Sequence, residues 1–270
     1  MKTILFTFLV LGFFQVSTIA QMDDKFYYPS KKWELTSFEN VNLTEKIYIS
    51  DKDTLNAVLL KPKLLIPKAT IIYFHGSSGN VSTYVKYVLP LVSSGYQVFM
   101  IDFRGYGKST GKPTHNNIAN DAEFIFSKLL KDANITNQKI ILYGSSMGTQ
   151  VACNLAKKVQ NNIAGLVLDG CISSFTDIAL QSMPEKQREA VRPFLNFPYA
   201  AKEDVKLLDK IKVLFIHSKE DKDVPFSQYE EVLKNSKGNN FSWVYVGQHL
   251  EAPLLYPTLF VGEFDKIISN

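Results

Sequence analysis

The sequence predicts an α/β protein built on a mostly parallel central sheet with helices on both faces. Short apolar runs recur at Ala69–Phe74, Tyr96–Ile101, Ile140–Tyr143, Ile163–Asp169, Lys212–His217 and Phe241–Val246. Most are continuous rather than alternating, as strands buried on both faces are. Helical spacing appears between them, with Ile118, Ala122, Ile125 and Leu129 marking one helix face. One strand, Ile140–Tyr143, runs straight into Gly144-Ser145-Ser146-Met147-Gly148 and then a helix over Thr149–Val159. Alternating strands and helices imply crossovers between parallel neighbours.

The elements follow in order. Gln21–Thr44 is an entry segment whose Phe26-Tyr27-Tyr28-Pro29 run is expected to pack on the domain rather than bind anything. Glu45–Ser50 and Thr54–Lys61 form a hairpin around the polar turn Asp51-Lys52-Asp53. Ala69–Phe74 ends in the small-residue loop His75-Gly76-Ser77-Ser78-Gly79-Asn80, followed by a helix from Tyr84 to Val92, interrupted or bent near Pro90. Tyr96–Ile101 leads into Asp102–Ser109 and a helix over Ile118–Leu130. The interval from Gly170 to Lys212 is too long for a tight crossover. It fits one helix with long loops or, preferably, a small helical lid over about residues 175–210. Its Met183, Phe194, Phe197 and Tyr199 would shape an apolar pocket or belong to the core.

Composition sets the outer bounds. The 270 residues, 46% hydrophobic and 21% charged, suit one large α/β domain or two small ones. The formal charge of +4 comes from scattered lysines without interleaved aromatics, so nucleic acid is not an expected partner. Met1-Lys2, an apolar run from Ile4 to Phe14, and small residues at Thr18 and Ala20 form a secretory signal pattern, cut before Gln21. That leaves a domain over residues 21–270, exported to the periplasm or the extracellular space. The apolar run is well short of the ~20 residues that span a bilayer, so no stable membrane span is expected. Cys153 and Cys171 read as small buried hydrophobes rather than a bridge. Asn-x-Ser/Thr sequons stand at Asn42, Asn80, Asn134 and Asn240, and a glycan at Asn80 would crowd the site proposed below. With no His/Cys ligand spacing, Walker loop or dinucleotide fingerprint, neither metal nor cofactor is expected.

The chemistry centres on Ser146. Strand, Gly-x-Ser-x-Gly and helix describe a sharp turn that exposes a strained serine at a helix N-terminus, where backbone amides favour negative charge. A Cβ two residues before or after the serine would collide with the neighbouring helix or strand. Serine needs a base, and the base needs orientation. His249 follows the last strand after Gly247-Gln248, and an acidic loop, Glu220-Asp221-Lys222-Asp223, follows Lys212–His217. The order Ser, acid, His at three strand ends assigns His249 as base and favours Asp221 as its acid, with Asp223 and Asp169 behind it. The oxyanion donors are the backbone N–H of Met147 and, from the loop after Ala69–Phe74, that of Ser77. His75 and His217 are expected to hold loops by hydrogen bonds, and His115 sits in a polar loop without an assigned partner.

These residues give the chain a resemblance to serine hydrolases of the α/β-hydrolase superfamily. Within it the chain is similar to the BEM46-like, serine-aminopeptidase S33-like or lysophospholipase-like group. His75-Gly76, the run Asp102–Thr114 in the pattern DxRGxGxSxGxPT, Gly144–Gly148, Asp221 with Val224-Pro225, and His249 carry it. The resemblance implies an α/β-hydrolase fold and a structural Asp102–Thr114 loop with Arg104 tying loops together. Ser218 and Gln248 depart from residues usual in the group but remove no member of the triad. The implied activity is hydrolysis of carboxylic acyl esters on a small-molecule or lipid-like substrate; a peptidase or acyltransferase on the same triad is the alternative. The competing class, a non-catalytic binding protein, is disfavoured by the intact Ser, Asp and His.

Overall fold

The computed structural model describes residues 23–269; the signal expected over residues 1–20 lies outside them. The main sheet has eight strands. In chain order these are β2 (Val41–Ser50), β3 (Asp53–Pro62), β4 (Thr70–Phe74), β6 (Gln97–Ile101), β7 (Ile140–Ser145), β8 (Gly165–Asp169), β9 (Lys212–Ser218) and β10 (Asn239–Tyr245). A separate two-residue pair joins β1 (Tyr28–Pro29) to β5 (Ser78–Gly79). The sheet order is β10-β9-β8-β7-β4-β6-β3-β2, antiparallel only at the β2–β3 and β3–β6 pairings. The expected hairpin is present, and Asp51 takes a positive φ of 55° at its tight turn.

Alternation along the central strands divides the core. Ile72, Phe74 and Leu142 point to a layer shared with α2 (His115–Leu129), α3 (Gly148–Val159) and α7 (Phe226–Asn235). Ile71, Tyr73, Ile141 and Tyr143 point the other way, onto α1 (Val81–Ser93) and α9 (Pro257–Ile268). The central strands β4, β6, β7 and β8 are buried throughout, which is why they read as continuous apolar runs.

Two local expectations change. The helix expected from Tyr84 starts at Val81, because the Asn80 side chain caps it in a capping box with Thr83. It also runs through Pro90 to Ser93, since a proline so near the end removes only one amide from the helix ladder. Asn80 is fully buried, with its side-chain amide donating to the carbonyls of Ser30 and Lys32. The Asn80 side chain, which matches a sequon, thus has a structural role. Between β8 and β9 the chain forms the short helices α4 (Phe175–Gln181), α5 (Glu185–Val191) and α6 (Ala201–Asp204). No helix among the described residues is long and apolar enough to cross a membrane. Cys153 and Cys171 are free and buried.

Arg104 does tie loops together. Its guanidinium donates to both carboxylate oxygens of Asp121, at 2.6 and 2.9 Å, to Asp53 at 2.7 Å, to Asp51 at 3.1 Å and to the Ser50 hydroxyl at 3.0 Å. The cluster pins the β2–β3 turn and α2 to the loop after β6. Arg104 and Asp121 are buried, so removing the cation leaves a buried carboxylate unpaired. Arg104→Leu is expected to destabilise the protein by about 3–5 kcal/mol, read from the urea midpoint.

Candidate active site

The turn from β7 to α3 is built as the sequence requires. Ser146 sits at φ 53°, in the left-handed region that costs a non-glycine residue conformational energy. The turn is held from below: Ser146 N donates to Asp169 O at 2.8 Å, and Thr149 N and Oγ1 both donate to Ser146 O, at 2.9 and 2.6 Å. A Cβ on Gly144 would stand 2.4 Å from Gly148 O, and one on Gly148 only 2.0 Å from Phe74 O. Both flanking glycines therefore exist to let α3 and β4 close on the serine. Gly148→Ala must displace the β4 backbone, and its melting temperature is expected to fall by several degrees (for example, about 3 °C per kcal/mol in a domain of this size).

The structure brings together His249 and Asp221, the two residues expected as base and acid. His249 Nδ1 lies 2.6 Å from Asp221 Oδ2. Asp221 Oδ1 accepts from the backbone amides of Asp223 and Val224, at 2.9 and 2.8 Å. Burial alone would raise the Asp221 carboxyl, but the His249 contact and the Val224 amide outweigh it and hold its pKa below the usual carboxylate range. Asp169 is bound elsewhere, accepting from the Tyr143 hydroxyl at 2.8 Å, and complete burial pushes it up to about 7. Asp223 is exposed, and among the described residues neither it nor Glu220 is hydrogen-bonded to the imidazole. Ligating atoms of Asp221, Asp223 and His249 fall within 4.8 Å of one another. Both Asp221 oxygens are already engaged, so the trio is better suited to orienting the imidazole than to holding a cation.

Ser146 and His249 line one cavity of about 360 Å³. No hydrogen bond joins Ser146 Oγ to His249 among the described residues; such contacts are often long before substrate binds. Ser77 and Met147 border the same cavity. Among the described residues neither amide donates an internal hydrogen bond, and the Ser77 carbonyl is fixed by Tyr106 Oη at 2.6 Å and Tyr28 N at 2.8 Å. Both amides are therefore free to meet an oxyanion. A larger cleft of about 680 Å³, beside β2 at Lys46, Lys61 and Lys63, has neither a histidine nor a carboxylate in its lining.

The other histidines have distinct roles. His217 Nε2 lies 2.9 Å from Val224 O and steadies the acid loop. His115 is not in a polar loop: it opens α2, buried, with Nδ1 2.8 Å from Tyr27 Oη and Nε2 2.9 Å from Asp23 Oδ1. His75 Nδ1 lies 2.7 Å from Gly76 O, and Nε2 accepts from Phe103 N at 3.4 Å, a pairing that requires the neutral ring. Burial lowers its pKa to about 4. Between about 6.5 and 4 the unfolded chain therefore binds the proton that the folded chain refuses, and stability falls with falling pH. Wild type is expected to lose stability relative to His75→Gln at up to about 1.4 kcal/mol per pH unit across that window, measured by urea unfolding at successive pH values.

The walls differ from expectation. Phe194 is exposed, Tyr199 is buried with its hydroxyl donating to His115 O at 3.2 Å, and neither they nor Met183 and Phe197 line the cavity. Its apolar walls are Ile172, Phe175, Ile178, Tyr84 and Val224, together with Phe26 and Tyr28 of the entry segment. The sequence expectation for those last two, packing on the domain alone, is incomplete, because they also border the cavity. Nothing in a run of aromatics far upstream marks it as a pocket wall; only the β1–β5 pairing brings it there.

The fold and the arrangement at the β7–α3 turn define an α/β hydrolase. Residues 69–270 match the family model described as the alpha/beta hydrolase fold, and the chain belongs to that family. Among curated relatives, bem46 of Schizosaccharomyces pombe is 29% identical over 203 residues, 73% of this chain and 65% of that one. The uncharacterized protein YfhR of Escherichia coli O157:H7 is 27% identical over 186 residues, 68% of this chain and 64% of that one. The matched regions thus span a little under two thirds of the length of these relatives. An esterase of Pyrococcus furiosus superposes with a TM-score of 0.70 at 20% identity, covering 90% of this chain and 97% of that one. Acetyl xylan esterase 1 of a Thermoanaerobacterium species gives 0.66 at 16% identity, covering 93% and 92%. These likenesses establish the shared fold.

Proposed function

We propose that the protein is a serine hydrolase that cleaves carboxylic acyl esters through an acyl-enzyme on Ser146. The observation that carries this reading is the single cavity shared by Ser146, His249 on its Asp221 support, and the free amides of Ser77 and Met147. In the first half-reaction His249 Nε2 takes the Ser146 proton as Oγ attacks the ester carbonyl. The tetrahedral oxyanion lies against the Ser77 and Met147 amides, and the imidazolium is stabilised by Asp221. Collapse breaks the ester C–O bond, and His249 returns the proton to the leaving alcohol. Water then attacks the acyl-enzyme with His249 again as base, releasing the acid and restoring Ser146.

The apolar walls support an acyl group on the substrate. A peptidase would need a group to hold the substrate amine, and Asp223 is the carboxylate at the cavity that offers one. Turnover of p-nitrophenyl esters against aminoacyl p-nitroanilides separates the two. The ester reading expects kcat/KM for the best ester to exceed that for every anilide by a wide margin; preference for an anilide would transfer the site to peptides. Export is part of the proposal, with a mature chain beginning at Gln21. N-terminal sequencing of protein recovered outside the cytoplasm tests it, and an intact Met1 there contradicts it.

A further inference from the structure

The entry segment forms a built wall of the cavity that holds Ser146. It is fixed on two sides. Below, Tyr27 Oη pairs with His115 Nδ1 at 2.8 Å, while Asp23 Oδ1 stands 2.9 Å from His115 Nε2 without a hydrogen bond joining them. Above, Tyr28 N and Ser30 N donate to the carbonyls of Ser77 and Gly79, at 2.8 and 2.9 Å. Ser77, whose free amide faces the oxyanion position, is thus held through its carbonyl by the same strap. Between these anchors Phe26 meets the cavity. Its ring stands edge-on to Phe175 with centroids 5.1 Å apart, to Phe197 at 5.2 Å and to His115 at 5.4 Å. Aromatic pairs in this geometry hold their positions by packing and by quadrupole attraction. Packed against Phe175, Phe26 is therefore a rigid part of the cavity wall, and a flexible flap would not set a sharp limit on what fits.

We propose that Phe26 is a specificity-determining residue that limits the length of the acyl chain delivered to Ser146. The inference rests on the acyl-ester reading of that serine. Removing the ring opens the cavity toward Phe197 and His115, giving extra methylenes an apolar place to lie. Enlarging the ring closes that space. A methylene gained or lost in an apolar pocket changes discrimination by about 10–200-fold, so shifts of an order of magnitude are in range.

The test compares kcat/KM across p-nitrophenyl esters from acetate to decanoate for wild type, Phe26→Ala and Phe26→Trp. Enzyme is counted by fluorophosphonate titration, so that loss of folded protein does not enter the ratio. Phe26→Ala is expected to raise the decanoate-to-butyrate ratio roughly tenfold, and Phe26→Trp to lower it by a similar factor. Opposite shifts are a signature that a purely structural role in the strap would not produce. Parallel profiles for all three enzymes, whatever their absolute rates, overturn the role of Phe26 while leaving the esterase reading standing. A wild type that turns over no ester in the series, with Ser146 still labelled, overturns the acyl-ester reading and the Phe26 role with it.

Discussion

Ser146→Ala is expected to lower ester kcat by several orders of magnitude, on the order of 10⁶ where the serine, histidine and aspartate act as one unit. The residual rate should stay above that in water, because the Ser77 and Met147 amides and the cavity walls remain. The loss should appear in kcat, with substrate affinity little changed, since Oγ forms its bond only as the reaction proceeds. The fold should survive: Ser146 is held by its backbone, through Asp169 O and Thr149, and not by its hydroxyl. Unfolding curves that superpose on wild type, with activity gone, are the expected pair of results. A variant that keeps a tenth of wild-type turnover would remove Ser146 from the chemistry.

The second large effect discriminates among the carboxylates. Asp221→Asn is expected to cost about 10⁴ in kcat, because an amide at 2.6 Å from His249 Nδ1 no longer fixes the tautomer that leaves Nε2 free to accept the Ser146 proton. Asp169→Asn should leave turnover largely intact. Its side chain receives a hydrogen bond from Tyr143, an interaction the asparagine carbonyl can replace, and burial already favours its neutral form. Reversal of that pattern, with Asp169→Asn inactive and Asp221→Asn active, would reassign the acid. Steady-state kinetics on both variants decides it.

Much of this site was legible in the chain because its chemistry is local in sequence. The Gly144–Gly148 turn carries its own steric logic, and each glycine meets backbone where a Cβ would go. Strand ends are readable from apolar runs, so the positions of Asp221 and His249 followed from where β9 and β10 stop. Helix starts were less legible where a side chain fixed them: Asn80 and Thr114 move the beginnings of α1 and α2 ahead of their apolar faces. Buried polar anchors were least legible of all. His115 reads as a loop histidine because its hydrogen-bond partner Tyr27 lies 88 residues away. The same distance hid the pocket wall, since Phe26 reaches the cavity only through that anchor and through the pairing of β1 with β5. Residues of the β8–β9 interval divide. Tyr199 joins the core and Phe197 packs against it, one of the two places their apolar character allows, whereas Phe194 turns to solvent.

The central claim is a covalent intermediate on one serine. The most direct measurement is peptide mapping by mass spectrometry after treatment of the folded protein with a fluorophosphonate. One stoichiometric adduct is expected, carried by the peptide containing Gly144–Gly148 and localised to Ser146, and absent from Ser146→Ala. A folded wild type that takes up no label, or carries it on any other residue, would exclude an acyl-enzyme on Ser146.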